Sequence, residues 1–434
     1  MPDPLQPDVI VIGGGPAGAA AAALLAQRGR SVTVIEKDSH PRFHIGESLL
    51  PRNLDLFEKL GILEEVKAIG VHKPGAEFVS DRTGRSTRFT FANALGAERG
   101  YSYQVPRAEF DLMLFKTAQA RGATMVENTR VTEVDFGAKG ERATVSTKAQ
   151  GGAVQTYRPR YVLDASGRDT FLANRLTKKA INKYTNTAAV YAHYKGVERR
   201  PGEFAGYITI HLAEDGWFWM IPLPDGLMSV GFAGNQNVWK DRTGSVRDVL
   251  EQKIAGSPTV SARMTDAMRV SDIYADANYS YRAHQGYGEK YLMIGDSYGF
   301  VDPMFSTGVL LAMTAAELGA EAAHVWLDDP VRGEALAAKA NKDLGHAMDR
   351  ISWLIYRIND PVLRTLFMEP QNTLKMRDGL ISLLAGDLRG NAKSFLPILS
   401  FKTVYHTLSW LHRKGWGPAM SEAVAPPPQA MAAE

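Results

Sequence analysis

One glycine turn near the N-terminus restricts what this chain can fold into more than any other stretch. Asp8 to Ile12 is a β-branched run, Gly13-Gly14-Gly15-Pro16-Ala17-Gly18 satisfies G-x-G-x-x-G, and an alanine-rich helix is expected from Pro16 to about Arg28. A second strand, Ser31 to Glu36, completes a βαβ unit of about thirty residues. Gly13, Gly15 and Gly18 permit a tight turn, close approach of a pyrophosphate and close packing of helix on strand, with Pro16 and Ala17 opening the helix. Phosphate then sits on the helix N-terminus. Glu36, 18 positions after Gly18, can accept hydrogen bonds from ribose hydroxyls, and Lys37 beside it is a further candidate contact. The expected class is α/β with a Rossmann-like dinucleotide domain.

That domain is interrupted. Ala123 to Asp135 reads as two short strands, Ala143 to Ser146 and Val154 to Tyr157 as a β-meander, and Tyr161 to Leu163 as a return strand. From Thr187 to Gly234 alternating aromatic and β-branched residues predict a mixed or antiparallel sheet. Lys290 to Ile294 is then a strand, followed by a loop and a long apolar helix from Gly308 to Leu327. The expected division is 1–80, 100–180 and 285–330 for the dinucleotide domain, and 81–99 with 181–284 for an inserted sheet that holds substrate. A helical C-terminal cap over 331–420 and a disordered proline- and alanine-rich tail over 421–434 complete it.

With 434 residues, two or three packed units are expected. The absence of cysteine excludes thiolate nucleophiles, disulfides, Fe–S clusters and thiolate zinc sites. The ten histidines lack metal-ligand spacing, so no metal site is expected, and His40, His44 and His72 read as polar loop residues. A net charge of +3, with basic residues scattered, gives no support to nucleic-acid binding. Neither a signal segment nor a run of the roughly 20 apolar residues needed to span a membrane is visible, which predicts a cytoplasmic protein.

Three later segments resemble the FAD-dependent monooxygenase superfamily, whose p-hydroxybenzoate-hydroxylase-like fold this implies. In that superfamily an arginine opening a helix, here Arg107 in Val105-Pro106-Arg107, contacts flavin. Asp164-Ala165-Ser166-Gly167 follows a strand, where Asp164 and Gly167 bring backbone near the dinucleotide. Gly295-Asp296 looks like the second dinucleotide motif, with Asp296 on the ribityl chain. Val131 is a further cofactor contact on this resemblance. For Arg107 and Asp164 the plainer alternatives, a surface arginine and an ordinary turn, stay open.

Gly46-Glu47-Ser48-Leu49, Lys73-x-Gly75-x-x-Phe78, Trp217-Phe218-Trp219-Met220-Ile221-Pro222 and Asp302-Pro303-Met304-Phe305-Ser306-Thr307-Gly308 together resemble the flavin-dependent halogenases, from residue 8 to about 330. The resemblance implies an enzyme using reduced FAD, supplied by a separate flavin reductase, with O2 and chloride or bromide. Trp217, Trp219, Ile221 and Pro222 would form a wall keeping organic substrate from the flavin, so that halide is oxidised to hypohalous acid in place of substrate hydroxylation. Lys73 would carry that oxidised halogen as a hydrogen-bonded hypohalous acid or a haloamine. Thr307 and Gly308 would supply the halide pocket at a helix N-terminus. Pro303 and Val309 would flank the flavin, and Gly46, Glu47, Ser48 and Arg42 would belong to a flavin-side loop. The length suits members acting on phenols or pyrroles, including carrier-protein-tethered ones, better than tryptophan halogenases. A monooxygenase or a geranylgeranyl-reductase-like oxidoreductase is the alternative. The Trp pair could also simply fill a sheet core, and Lys73 could be a solvated surface lysine.

Overall fold

The β-branched runs at Val9–Ile12 and Val32–Ile35 are buried along their whole length, and strands apolar on both faces pair in parallel beneath covering helices. In the computed structural model, which describes residues 4–96, 99–240, 242 and 244–416, they lie at the centre of a six-stranded sheet. Its order is Tyr287–Gly288, Tyr291–Met293, Tyr161–Asp164, Val9–Ile12, Val32–Ile35, Thr124–Val126, parallel except for the edge hairpin. The helix Pro16–Gln27 buries Ala17 and Ala19 to Ala23, and these short side chains let it pack closely against two helices, Arg107–Ala120 and Gly308–Trp326. Gly319 of the helix Gly308–Trp326 lets it pack close to the sheet, because a Cβ there would come within 2.9 Å of the Ile294 side chain. Thr129–Asp135, Thr144–Ala149 and Val154–Tyr157 form a separate antiparallel three-stranded sheet.

The chain divides into two compact units. The first, residues 1–72, 101–186 and 278–351, holds the six-stranded sheet. The second comprises residues 73–100, 187–277 and 352–434. Residues 73–80 and the helical segment from 352 onward thus fall in the second unit, whereas the sequence pattern predicts residues 73–80 in the dinucleotide domain and a separate helical cap.

The second unit is built on a mixed sheet in the order Ser86–Thr90, Gly75–Ser80, Ile208–Leu212, Gly216–Pro222, Met228–Asn235 and residues 187–195 of the strand Lys179–Lys195. A parallel pair within it joins Gly75–Ser80 to Ile208–Leu212. Successive side chains alternate between faces. Phe218, Met220, Val230, Phe232, Val190 and Ala192 fill a core with Val249 and Leu250 of the helix Val246–Gly256. Phe78 and Phe89 meet Phe367 of the helix Pro361–Met368, with ring centroids 4.7 and 5.0 Å apart. Two further helices follow, Met376–Leu384 and Ala392–Arg413, and the expected disordered tail lies outside the described residues. No helix among the described residues is long and apolar enough to cross a membrane.

Truncating Phe367 to Ala should open a cavity between these rings and cost about 3–5 kcal/mol. Val331→Ala, at an exposed helix position, should stay within about 0.5 kcal/mol of the parent. Urea unfolding of both variants checks the contrast.

Candidate active site

Within the first unit the glycine turn separates packing glycines from open ones. Gly13 has φ +100°, and a Cβ there would overlap the Ala165 carbonyl; a Cβ on Gly18 would overlap the Gly13 carbonyl. At Gly15, in contrast, the nearest atom to an added Cβ is Nη2 of Arg42 at 3.7 Å, and at Gly167 and Gly308 nothing lies within 4 Å. The first pair closes helix onto strand, and the second group leaves backbone accessible. Glu36 is buried and its carboxylate accepts from the Gly14 amide at 2.7 Å and the Asp38 amide at 3.0 Å, with Arg42 3.8 Å away. Lys37 is held by Asp169 at 2.6 Å.

Arg107 opens its helix as expected, but it is buried and locked to Asp111, one turn on, through paired hydrogen bonds of 2.8 and 2.9 Å. Burial alone would raise the Asp111 carboxyl; the Arg107 charge and hydrogen bonds outweigh it and hold that carboxyl below its ordinary range. Arg107 also donates to the Ile45 carbonyl at 2.6 Å. Gly46 has φ +100°, where any other residue would be strained, and a Cβ there would lie 2.9 Å from the guanidinium. Glu47 and Ser48 are buried, and the Glu47 charge acts on Arg107. His44 sits in the same cluster, its Nδ1 2.9 Å from the Ile45 carbonyl. Burial, reinforced by Arg107, lowers it to about 4, so it is neutral at pH 7. Sequence reasoning takes His44 for a polar loop residue and passes over Asp111. The i,i+4 spacing of Arg107 and Asp111 is a usable signal for the second.

Asp164 is buried and accepts from the Ser166 amide at 2.9 Å and the Leu172 amide at 2.7 Å, so it shapes its own loop. Val131 is buried beside a bulge in its strand. Gly295 has φ +63° and leads to Asp296, where burial pushes the carboxyl up to about 6 against the pull of Arg168 and Arg107. The turn Pro303–Phe305 is capped by Asp302, whose side chain accepts from the Met304 amide at 3.1 Å, and ends on Ser306 in the left-handed region at φ +58°. That reversal delivers Thr307 as the N-cap of the helix Gly308–Trp326. Thr307 is fully buried and its Oγ1 has no hydrogen-bond partner among the described residues, while Val309 is buried close behind it. A buried orphan hydroxyl at the positive end of a 19-residue helix is a site prepared for a polar or anionic group.

In the second unit Lys73 is not a solvated surface residue. It is 1% exposed, its ammonium nitrogen lies 5.2 Å from the Phe91 ring centroid, and burial lowers its pKa to about 7. The rest of the K-x-G-x-x-F motif has structural roles. A Cβ on Gly75 would overlap the Phe89 carbonyl and press on the Tyr207 ring, and Phe78 joins the cluster of Phe89 and Phe367. Glu77, unnoticed in the sequence, is fully buried between Arg88 at 2.8 Å and Arg200 at 2.6 Å.

Trp217, Trp219 and Ile221 alternate onto the sheet face opposite Phe218 and Met220, and Pro222 falls with the latter pair. The two indoles are 5.5 Å apart, Trp219 donates to Ser229 at 3.2 Å, and Tyr191 extends the row 5.8 Å from Trp219. Gly231 opposite Trp219 is required, because a Cβ there would overlap the indole.

The FAD binding domain family matches residues 6–325. Over 326 residues the chain is 32% identical to the 1H-pyrrole-2-carbonyl–peptidyl-carrier-protein brominase of Pseudoalteromonas luteoviolacea, covering 74% of this chain and 78% of that one. The chain belongs to the flavin-dependent halogenase family. Tryptophan 2-halogenase of Chondromyces crocatus is 33% identical over 321 residues, and the match spans only 61% of that longer relative. Among solved structures, a flavoprotein/dehydrogenase from Cytophaga hutchinsonii superimposes with a TM-score of 0.85 at 27% identity, covering 94% of this chain and 99% of that one. The residues present fit the flavin this halogenase family uses: open backbone at Gly15, Gly167 and Gly308, and an unsatisfied Thr307 hydroxyl at a helix N-terminus.

Asp296 supplies a test of the site's charge balance. Its folded-state pKa lies above the ordinary carboxyl value, so its contribution favours folding below pH 4 and is lost as pH rises through 6. Asp296→Asn should therefore stabilise the cofactor-free protein by about 1–3 kcal/mol at pH 8, with the gain vanishing near pH 4, and should weaken FAD binding. Thermal melts across pH, with flavin titration, measure both.

Proposed function

We propose that the chain is an FADH2-dependent halogenase that passes oxidised halide to Lys73 for electrophilic halogenation of a phenolic or pyrrolic ring, including rings tethered to a carrier protein. The observation that carries this reading is the buried Lys73 amine, lowered to about 7, in a member of the halogenase family. Gly13, Gly15, Gly18, Glu36, Arg107 and Asp296 would hold FAD, with Pro303, Thr307, Gly308 and Val309 at its reactive end. The cofactor, reduced by a separate flavin reductase, supplies hypohalous acid from O2 and chloride or bromide. The Thr307 hydroxyl and the amides that open its helix favour halide over water there.

Desolvation keeps a substantial fraction of the Lys73 amine neutral at pH 7, whereas an exposed lysine would be almost wholly protonated. A neutral amine attacks hypohalous acid at halogen, forming N–Cl or N–Br and releasing water. Transfer of the halogen to a ring carbon then expels a ring proton and restores the amine. Phe91 beneath the nitrogen excludes water, which would otherwise compete for the halogen. Trp217, Trp219 and Ile221, rigidified by Ser229 and Tyr191, present the face that would bar the ring from the flavin. Activity, substrate and partners of the longer relatives are carried to this chain by proposal alone. The likeness to a flavoprotein/dehydrogenase supports a second reading, oxidation or hydroxylation without halogen.

Incubation with FAD, a flavin reductase, NADH, O2 and bromide or chloride with phenols, pyrroles and indoles, free and carrier-bound, should give products with halogen isotope patterns; hydroxylated products alone would establish the second reading. Lys73→Ala should lower halogenation by at least about a hundredfold, within the range for losing a nucleophilic group, while FAD binding and NADH-driven O2 consumption persist. Lys73→Arg should be equally inactive, because a guanidinium stays charged. Product formation in single turnovers should rise with pH through about 7 as the amine loses its proton. A flat profile would remove the neutral amine from the reaction.

A further inference from the structure

The last described helix, Ala392–Arg413, buries Ser394, Pro397, Phe401, Tyr405 and Ser409 and packs that side on the helices Pro361–Met368 and Met376–Leu384. Its opposite side is also apolar. Phe395 is 59% exposed, Leu396 66%, Leu399 49% and Trp410 49%, and Trp416 just beyond is 72% exposed with its ring 6.1 Å from Trp410. At 100° per residue these helical positions share one face with Thr403, His406, Arg413 and Lys414. A helix interior that is apolar on both sides is expected only where both sides are covered.

The charge around this face has one sign. Between Asp387 and Glu422 there is no acidic residue, whereas Arg389, Lys393, Lys402, Arg413 and Lys414 are present, in a chain whose total net charge is only +3. Lys402 lies over the Trp353 ring at 4.6 Å, so its charge is held at the border of the helix. The exposed apolar side chains of the helix form a row from Phe395 to Trp410, about 22 Å along its axis, with Thr403 and His406 lying between Leu399 and Trp410. Among the described residues neither of the two neighbouring helices adds another exposed large apolar side chain, and the turn Thr373–Lys375 that also packs on this helix adds only Leu374, so the row stands as a ridge. A second copy would oppose one cationic face to another. A flat boundary between anionic head groups and acyl chains takes such a ridge directly: Phe, Leu and Trp enter the apolar side and Lys and Arg remain among the phosphates.

We propose that the outer face of Ala392–Arg413, with Trp416, is a docking surface for anionic lipid bilayers, on which the protein lies without spanning. The assignment is independent of the halogenation reading and uses none of its residues. It is tested by flotation of the full-length, FAD-loaded protein with vesicles of phosphatidylcholine plus phosphatidylglycerol, and of phosphatidylcholine alone, at low and high salt. Binding is expected to the anionic vesicles and to fall at high salt. The combined Leu396→Glu, Leu399→Glu and Trp410→Glu variant should bind at least about tenfold less, and Arg413→Ser with Lys414→Ser should lose only the preference for anionic lipid. Far-UV circular dichroism and flavin absorbance confirm that each variant is folded. Absent flotation, or flotation unchanged in the apolar variant, overturns the proposal. So does a dimer seen by light scattering that dissociates on the same substitutions, or capture of an acidic carrier domain by this face without vesicle binding.

Discussion

The first unit depends on an approach between backbones that only glycine allows. The Gly13 carbonyl occupies the volume where a side chain of residue 18 would lie, and Gly13 in turn has the Ala165 carbonyl in its own Cβ direction. The consecutive elements Val9–Ile12 and Pro16–Gln27 and the loop after Tyr161–Asp164, far away in sequence, are thereby brought to one point. Glu36 adds a fourth by accepting the Gly14 amide. Everything expected to touch the dinucleotide is measured from this junction, and its small-residue helix lets Gly308–Trp326 pack close enough to bring Thr307 into the same unit.

Around that junction the ionisable groups are arranged against their own solvation. Arg107 and Asp111 stay charged because they are paired, whereas Asp296 is pushed up and His44 pushed down because burial is incompletely offset. The Thr307 hydroxyl has no partner among the described residues. Such unsatisfied or weakly compensated groups work against folding, and a polar cofactor that hydrogen-bonds them would recover the loss on binding. Lys73 in the second unit follows the same logic with a different outcome. Burial of this amine over Phe91 disfavours its charged form and loosens its proton.

The second unit shows how a motif divides between chemistry and architecture. In K-x-G-x-x-F the lysine places a buried amine over Phe91, whereas Gly75 makes room for Tyr207 and Phe78 builds the core. In W-x-W-x-I-P the alternation of the strand sends Phe218 and Met220 to the core and both tryptophans to the other face, so Pro222 does not join the tryptophans. Gly231 and Ser229, across the ladder, decide how the Trp219 indole lies.

The sequence by itself determined the features in which chemistry follows local order along the chain: the βαβ turn, the strand runs, the flavin motifs, the halogenase resemblance and the choice of Lys73 over other lysines. Hydrophobic period and glycine spacing act over a few residues, so they are readable without the fold. What the tertiary structure alone decided is everything set by burial and by pairing across distance. That Lys73 is desolvated, that His44 lies beside Arg107, that Glu77 is clamped by Arg88 and Arg200, and that Thr307 has no partner among the described residues depend on segments separated by about ten to hundreds of residues. The same holds for the C-terminal helix. The sequence predicted helix in this region, but which apolar residues face inward, and which remain exposed beside an all-cationic border, is fixed only when its neighbours pack.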